Sequence, residues 1–174
     1  DGGVLSSNSD FTIETWIKLE SIGNTMQIVD KIIANGGYRL EINSHGDVIL
    51  QYRDSNSNKT EMRAEAIIDG NDVGNWVHIA ATADISVPDI KIYKNGNPQT
   101  IHVNDTNATS IGLVSDSLYI GRRIDGYEHF DGFIDELIIW DSALDSTQIQ
   151  SYISMPPAEN EEGLVTYWNF NAGD

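Results

Sequence analysis

Phe11-Thr12-Ile13-Glu14-Thr15-Trp16-Ile17-Lys18-Leu19 alternates, with mostly apolar odd positions and Glu14 and Lys18 pointing the other way. A period of two belongs to a strand with one buried and one solvated face. Outward from this run, similar short stretches recur: Met26 to Ile33, Tyr38 to Ile42, Val48 to Arg53, Glu61 to Ile67, Trp76 to Ala83, Ile90 to Lys94, Leu118 to Gly121, Phe133 to Trp140 and Leu164 to Phe170. Gly, Asn, Asp and Ser bound them, as turn residues should. So many strands in one domain imply two packed sheets.

Asn35-Gly36, Ser44-His45-Gly46 and Asn95-Gly96 each separate two of these runs. Asn-Gly supplies the positive φ angles of a tight hairpin, and Ile90 to Pro98 is the clearest hairpin in the chain. Pro98 cannot donate to a ladder, so its strand belongs at an edge. One stretch reads as helix, from about Ser146 to Ile153. Asp145 caps it, Gln148 completes a capping box, and Leu144 with Ile149 has the spacing of a hydrophobic staple.

The chain has 174 residues, the size of a single domain. Its 10 Lys and Arg against 27 Asp and Glu give a net charge of −17. No cationic excess exists to release counterions from phosphates, which argues against nucleic acid and against anionic membrane surfaces. The balance suits divalent cations or a salty milieu. No apolar run approaches the roughly 20 residues of a membrane helix. The absence of cysteine removes disulfides, thiolate metal sites and cysteine nucleophiles. No signal peptide is visible and the chain opens on Asp1-Gly2-Gly3, so residues 1–174 read as one module excised from a larger multidomain protein.

Six motifs occur in a fixed order: Phe11 to Ile17, Gly37-Tyr38-Arg39-Leu40, Asn75 to Ala80, Ile92 to Gly96, Leu118 to Arg122 and Phe130 to Leu137. Trp140-Asp141-Ser142-Ala143-Leu144 and Gly163 to Phe170 follow them. In this order the chain resembles the laminin G-like jelly rolls, concanavalin A-like domains that also include the pentraxins. The resemblance covers nearly the whole chain and implies an all-β, two-sheet antiparallel jelly-roll sandwich with one short helix. That fold hosts binding modules, adhesion domains and hydrolases alike, so function rests on the site.

Related jelly-roll β-glucanases carry Glu-x-Asp-x-x-Glu on one strand, because retaining hydrolysis needs two carboxyls about 5 Å apart. No such triplet occurs here. Asp135 and Glu136 are strand neighbours facing opposite sides, Glu61 and Glu65 lack the central Asp, and Glu159, Glu161 and Glu162 read as a solvated loop. His45, His78, His102 and His129 show no metal-binding spacing. The chain reads as a non-enzyme.

The resemblance also implies a calcium ion held by carboxylate and main-chain oxygens. Asp135 matches the family's Asp by motif, and Asp1 and Asp10 lie where the other two contributing segments fall. An Asp among Phe133, Ile134, Leu137 and Ile138 is costly to desolvate without a counter-charge; the alternative is that Asp135 caps a turn or pairs with Lys or Arg. For a ligand, the four tryptophans fall inside strand motifs and read as core. The exposed candidates are the loop residues Tyr52, Arg53, Arg123, Tyr127 and His129. The loop from Arg122 to Phe130 is the richest in stacking rings and forked donors, against the plainer reading of a polar surface loop. The expectation is a non-catalytic, calcium-binding module of an extracellular or cell-surface protein, binding a glycan or another surface protein beside neighbouring domains. The alternatives are a structural spacer without a ligand and a glycoside hydrolase-like domain.

Overall fold

In the computed structural model, which describes residues 5 and 9–171, β1 (Phe11–Leu19) runs through the middle of a sheet. In chain order there follow β2 (Met26–Asp30), β3 (Gly37–Ile42), β4 (Val48–Arg53), β5 (Lys59–Ala64), β6 (Trp76–Asp84), β7 (Asp89–Lys94) and β8 (Asn97–Pro98). The chain continues with β9 (His102–Thr106), β10 (Tyr119–Ile120), β11 (Gly132–Trp140), α1 (Ser146–Ser154) and β12 (Leu164–Trp168). Two six-stranded sheets result, one ordered β12-β11-β1-β6-β7-β8 and the other β10-β2-β3-β4-β5-β9. All their pairings are antiparallel, as the jelly-roll reading requires.

The alternation read in β1 decides the core. Phe11, Ile13, Ile17 and Leu19 are fully buried against Tyr38, Leu40, Leu50 and Tyr52 of the facing sheet. Burying each such side chain contributes about 1.5–3 kcal/mol, which outweighs the strand propensities themselves. The Phe11 ring lies 5.6 Å from that of Tyr38 and 6.2 Å from that of Tyr52. Gly37 is obligatory where β3 begins: its φ is +88° and a Cβ would sit 1.8 Å from the Lys31 carbonyl oxygen.

The outer face of the first sheet carries a second apolar cluster of Ala80, Tyr93, Ile138, Trp140, Leu144 and Ile149, with α1 lying across it. The helix starts where the capping box predicts. Asp145 accepts from Thr147 N at 2.8 Å and Gln148 N at 2.9 Å, and Gln148 accepts in return from Asp145 N. Leu144 and Ile149 are both buried, as a staple requires. Pro98 does lie in an edge strand, β8.

Three local expectations change. β9 pairs with β5, although its residues are almost all exposed and show no apolar alternation. Tyr52 is on β4 and fully buried, because alternation along the strand turns its ring inward beside Leu50; it is a core residue, not a loop ligand. Of the four tryptophans only Trp140 is fully buried. Trp76 is 44% exposed because it opens β6 on the outward side, while Trp16 and Trp168 are half-buried.

Candidate binding cleft

Outward positions of the second sheet fall into cross-strand rows. Asp30 is opposite Arg39, Arg39 opposite Gln51, and Gln51 opposite Glu61. Arg53 lies two residues further along β4, on the same face. The segment from Gly121 to Asp131 is tied along β2: Gly121 N donates to the Ile28 carbonyl at 3.0 Å, Gln27 N to the Glu128 carbonyl at 3.0 Å, and Ile124 N to Asp30 Oδ2 at 2.8 Å. These elements enclose a cleft of about 230 Å³ lined by Asp30, Arg39, Arg53, Arg123 and Asp125, with Ile32, Ile33, Ala34 and Ile124 as its apolar share. Three of the chain's five arginines meet there.

Most of the charges are already engaged. Arg39 Nε is 3.3 Å from Glu41 Oε2, and Arg123 contacts Glu128 Oε1 and Asp125 Oδ2, each at 3.0 Å. Gln27 Nε2 donates to Glu41 and Glu128, both at 2.7 Å. Burial raises the Asp30 carboxyl above its ordinary value, opposed by hydrogen bonds from Ile124 N and Ile32 N. Burial likewise pushes Glu41 up, against the pull of Arg39. Both lining carboxylates are fully engaged: Asp30 accepts two backbone N–H groups, and Asp125 faces Arg123 while accepting from Tyr127 N. Arg53 differs: among the described residues its guanidinium has no ion pair or hydrogen bond, while its carbonyl accepts from Gly112 N at 2.7 Å. Among the described residues, Gln27 Oε1, Gln51 Oε1 and Arg39 Nε on the same face are buried without a hydrogen-bond partner. Native interiors leave few such atoms unsatisfied. The arrangement can hold a small polar ring through forked donors.

Of the residues singled out from sequence, Arg53 and Arg123 come together in this cleft. Tyr127 and His129 are exposed on the adjoining loop but do not line it. Tyr52 lies beneath the sheet. Arg39 and Asp30 went unnoticed, although the alternation of β3 marks Arg39 as outward-facing.

Asp10 and Asp135, two of the three carboxylates expected for calcium, do not converge. Asp1 lies outside the described residues. Asp10 precedes β1 and accepts from Ile85 N at 2.8 Å, whereas Asp135 is opposite Trp16. At about 3.3 Å per residue, the two are separated by about 20 Å along β1, too far to share an ion. The Asp135 side chain accepts from Glu136 N, and Thr15 Oγ1 donates to its carbonyl at 2.8 Å. No three His, Cys, Asp or Glu residues among the described residues form a metal-holding group. Glu136, at the β11 bulge, accepts from the Tyr167 hydroxyl.

Among the described residues no helix is long and apolar enough to cross a membrane. Among curated proteins, the adhesion G-protein coupled receptor V1 of Danio rerio is 26% identical, over 91% of this chain but only 3% of its own length. A Bacteroides ovatus protein described as carbohydrate binding superposes with a TM-score of 0.72 at 22% identity, covering 97% of this chain and 47% of that one. The heptameric pentraxin of Limulus polyphemus gives 0.66 at 22% identity, over 97% and 80% of the two chains. CBM40 of the Ruminococcus gnavus IT-sialidase, bound to α2,3-sialyllactose, gives 0.64 at 18% identity over 83% of each. The sequence profile of the laminin G-type family matches residues 1–150, and with two six-stranded antiparallel sheets behind that match, the chain belongs to the concanavalin A-like lectin/glucanases superfamily.

Proposed function

We propose that this domain is a non-catalytic glycan-binding module of an extracellular or cell-surface protein, and that the cleft between Arg39, Arg53 and Arg123 receives the sugar. The observation that carries the reading is a cleft lined by the forked donors of three arginines, one of them unpaired among the described residues, while both lining carboxylates are already engaged. Such a site binds and orients; it offers no free carboxylate pair for glycoside cleavage. The carbohydrate-binding Bacteroides and Ruminococcus structures and the adhesion receptor support this class. The Asp10 and Asp135 placements do not fit one shared calcium site, and the cleft lies on the other sheet, where arginines are the recognition groups. A glycan array probed with and without calcium tests the proposal: binding to a subset of glycans supports it, and a silent array favours the ligand-free spacer. Turnover of laminarin would contradict the non-catalytic part.

A further inference from the structure

The glycan-binding reading above leaves the class of sugar open, and the surroundings of Arg53 narrow it. The chain carries 27 carboxylates against 10 cations, yet none among the described residues is paired to Arg53. Its sequence neighbour Asp54 is turned away, bonded to Asn56 N, Asn58 N and the Asn58 amide. Directly across the sheet from Arg53 stands another cation, Lys59. Like charges in register on adjacent strands repel, and among the described residues Lys59 pairs with a single carboxylate, Glu61 at 3.3 Å. Beside this pair, the amide oxygen of Gln51 is buried without a donor.

We infer that Arg53 reads a carboxylate on the bound sugar. A guanidinium presents two parallel N–H groups that match a carboxylate in bidentate fashion, which a lysine cannot do. An anion there would also relieve the repulsion between Arg53 and Lys59. The cleft, at about 230 Å³, is smaller than the roughly 300–1,000 Å³ of drug-sized pockets. It therefore takes one terminal acidic ring, with the rest of the glycan outside. Arg39 and Arg123 do not substitute for Arg53, since Glu41, Glu128 and Asp125 already engage them.

The test is a chemical-shift titration with two matched pairs: methyl β-glucuronide against methyl β-glucoside, and sialyllactose against its carboxyl-reduced analogue. Within each pair the acidic member should bind about tenfold more tightly, shifting amides around Arg53 and Gly112. The pair with the larger preference identifies the acid as uronic or sialic. Arg53→Gln should abolish the preference while leaving the melting temperature unchanged, and Arg53→Lys should keep part of it. Equal binding of acidic and neutral members at the cleft would overturn the acidic assignment and leave glycan binding standing. An acidic preference that survives Arg53→Gln would also overturn it. Cleft amides silent to all four sugars would overturn the glycan-binding reading as well.

Discussion

Replacing Trp140 by alanine tests how the outer cluster and α1 are held to the sandwich. The ring is 1% exposed and 4.5 Å from that of Tyr152, and its Nε1 donates to Glu14 Oε1 at 2.8 Å. Truncating a buried aromatic costs about 3–5 kcal/mol. The substitution also removes the donor to a fully buried carboxylate whose other oxygen already lacks one, adding about 1–3 kcal/mol. At about 2–4 °C per kcal/mol for a domain of this size, the melting temperature should fall by at least about 8 °C. Trp140→Phe keeps most of the ring and loses the donor, so its fall should be smaller and come mainly from Glu14. Trp76→Ala, at an exposed position, should stay within about 0.5 kcal/mol of wild type. Calorimetry of the three variants decides. A Trp140→Ala melt within about 2 °C of wild type, or Trp76→Ala falling as far as Trp140→Ala, would refute this packing account.

Burial holds the Glu41 carboxyl above its ordinary value, so between the unfolded and native values the native state binds more proton than the unfolded chain does. Its contribution to stability therefore rises as pH falls toward the unfolded glutamate value near 4.3 and is lost as pH rises through the native value. The melting difference between wild type and Glu41→Gln should shift in favour of wild type between about pH 7 and about pH 5; a shift the other way would contradict the sign. Gly37→Ala should melt markedly lower, since the positive φ alone costs about 1–3 kcal/mol and the new Cβ meets the Lys31 carbonyl; an unchanged melt would show that β3 begins differently. Should calcium raise the melting temperature, the rise should survive at least one of Asp10→Asn and Asp135→Asn, because the two positions cannot share an ion; its loss in both would contradict their separation.

The strands and helix were legible because their signals are local. Alternation marked β1, Val48 to Arg53 matched β4 to the residue, and Asp145 with Gln148 fixed the start of α1. Polar β9 was not legible, since an exposed edge strand has no buried face to impose a period. Trp76 misled because motif membership says nothing of which side of the sheet a residue faces. The cleft was half legible: Arg53 and Arg123 stood out as forked donors. Their meeting depends on the segment from Gly121 to Asp131 lying along β2, a contact nearly a hundred residues apart in sequence, as in the Ile124–Asp30 hydrogen bond. Asp10 and Asp135 show the converse. Two residues that suit one ion by type are kept apart by the register between β1 and β11.

The central claim is that the second sheet's arginine cleft, and not another face of the sandwich, holds the glycan. A crystal structure of the domain with whichever glycan the array selects tests this most directly. The account predicts a terminal sugar ring between Arg39, Arg53 and Arg123, with its charged group on the Arg53 fork. The opposite sheet offers the exposed rings of Trp76 and Phe133 flanking Lys18. A glycan stacked there, with the arginine cleft empty, would contradict the account.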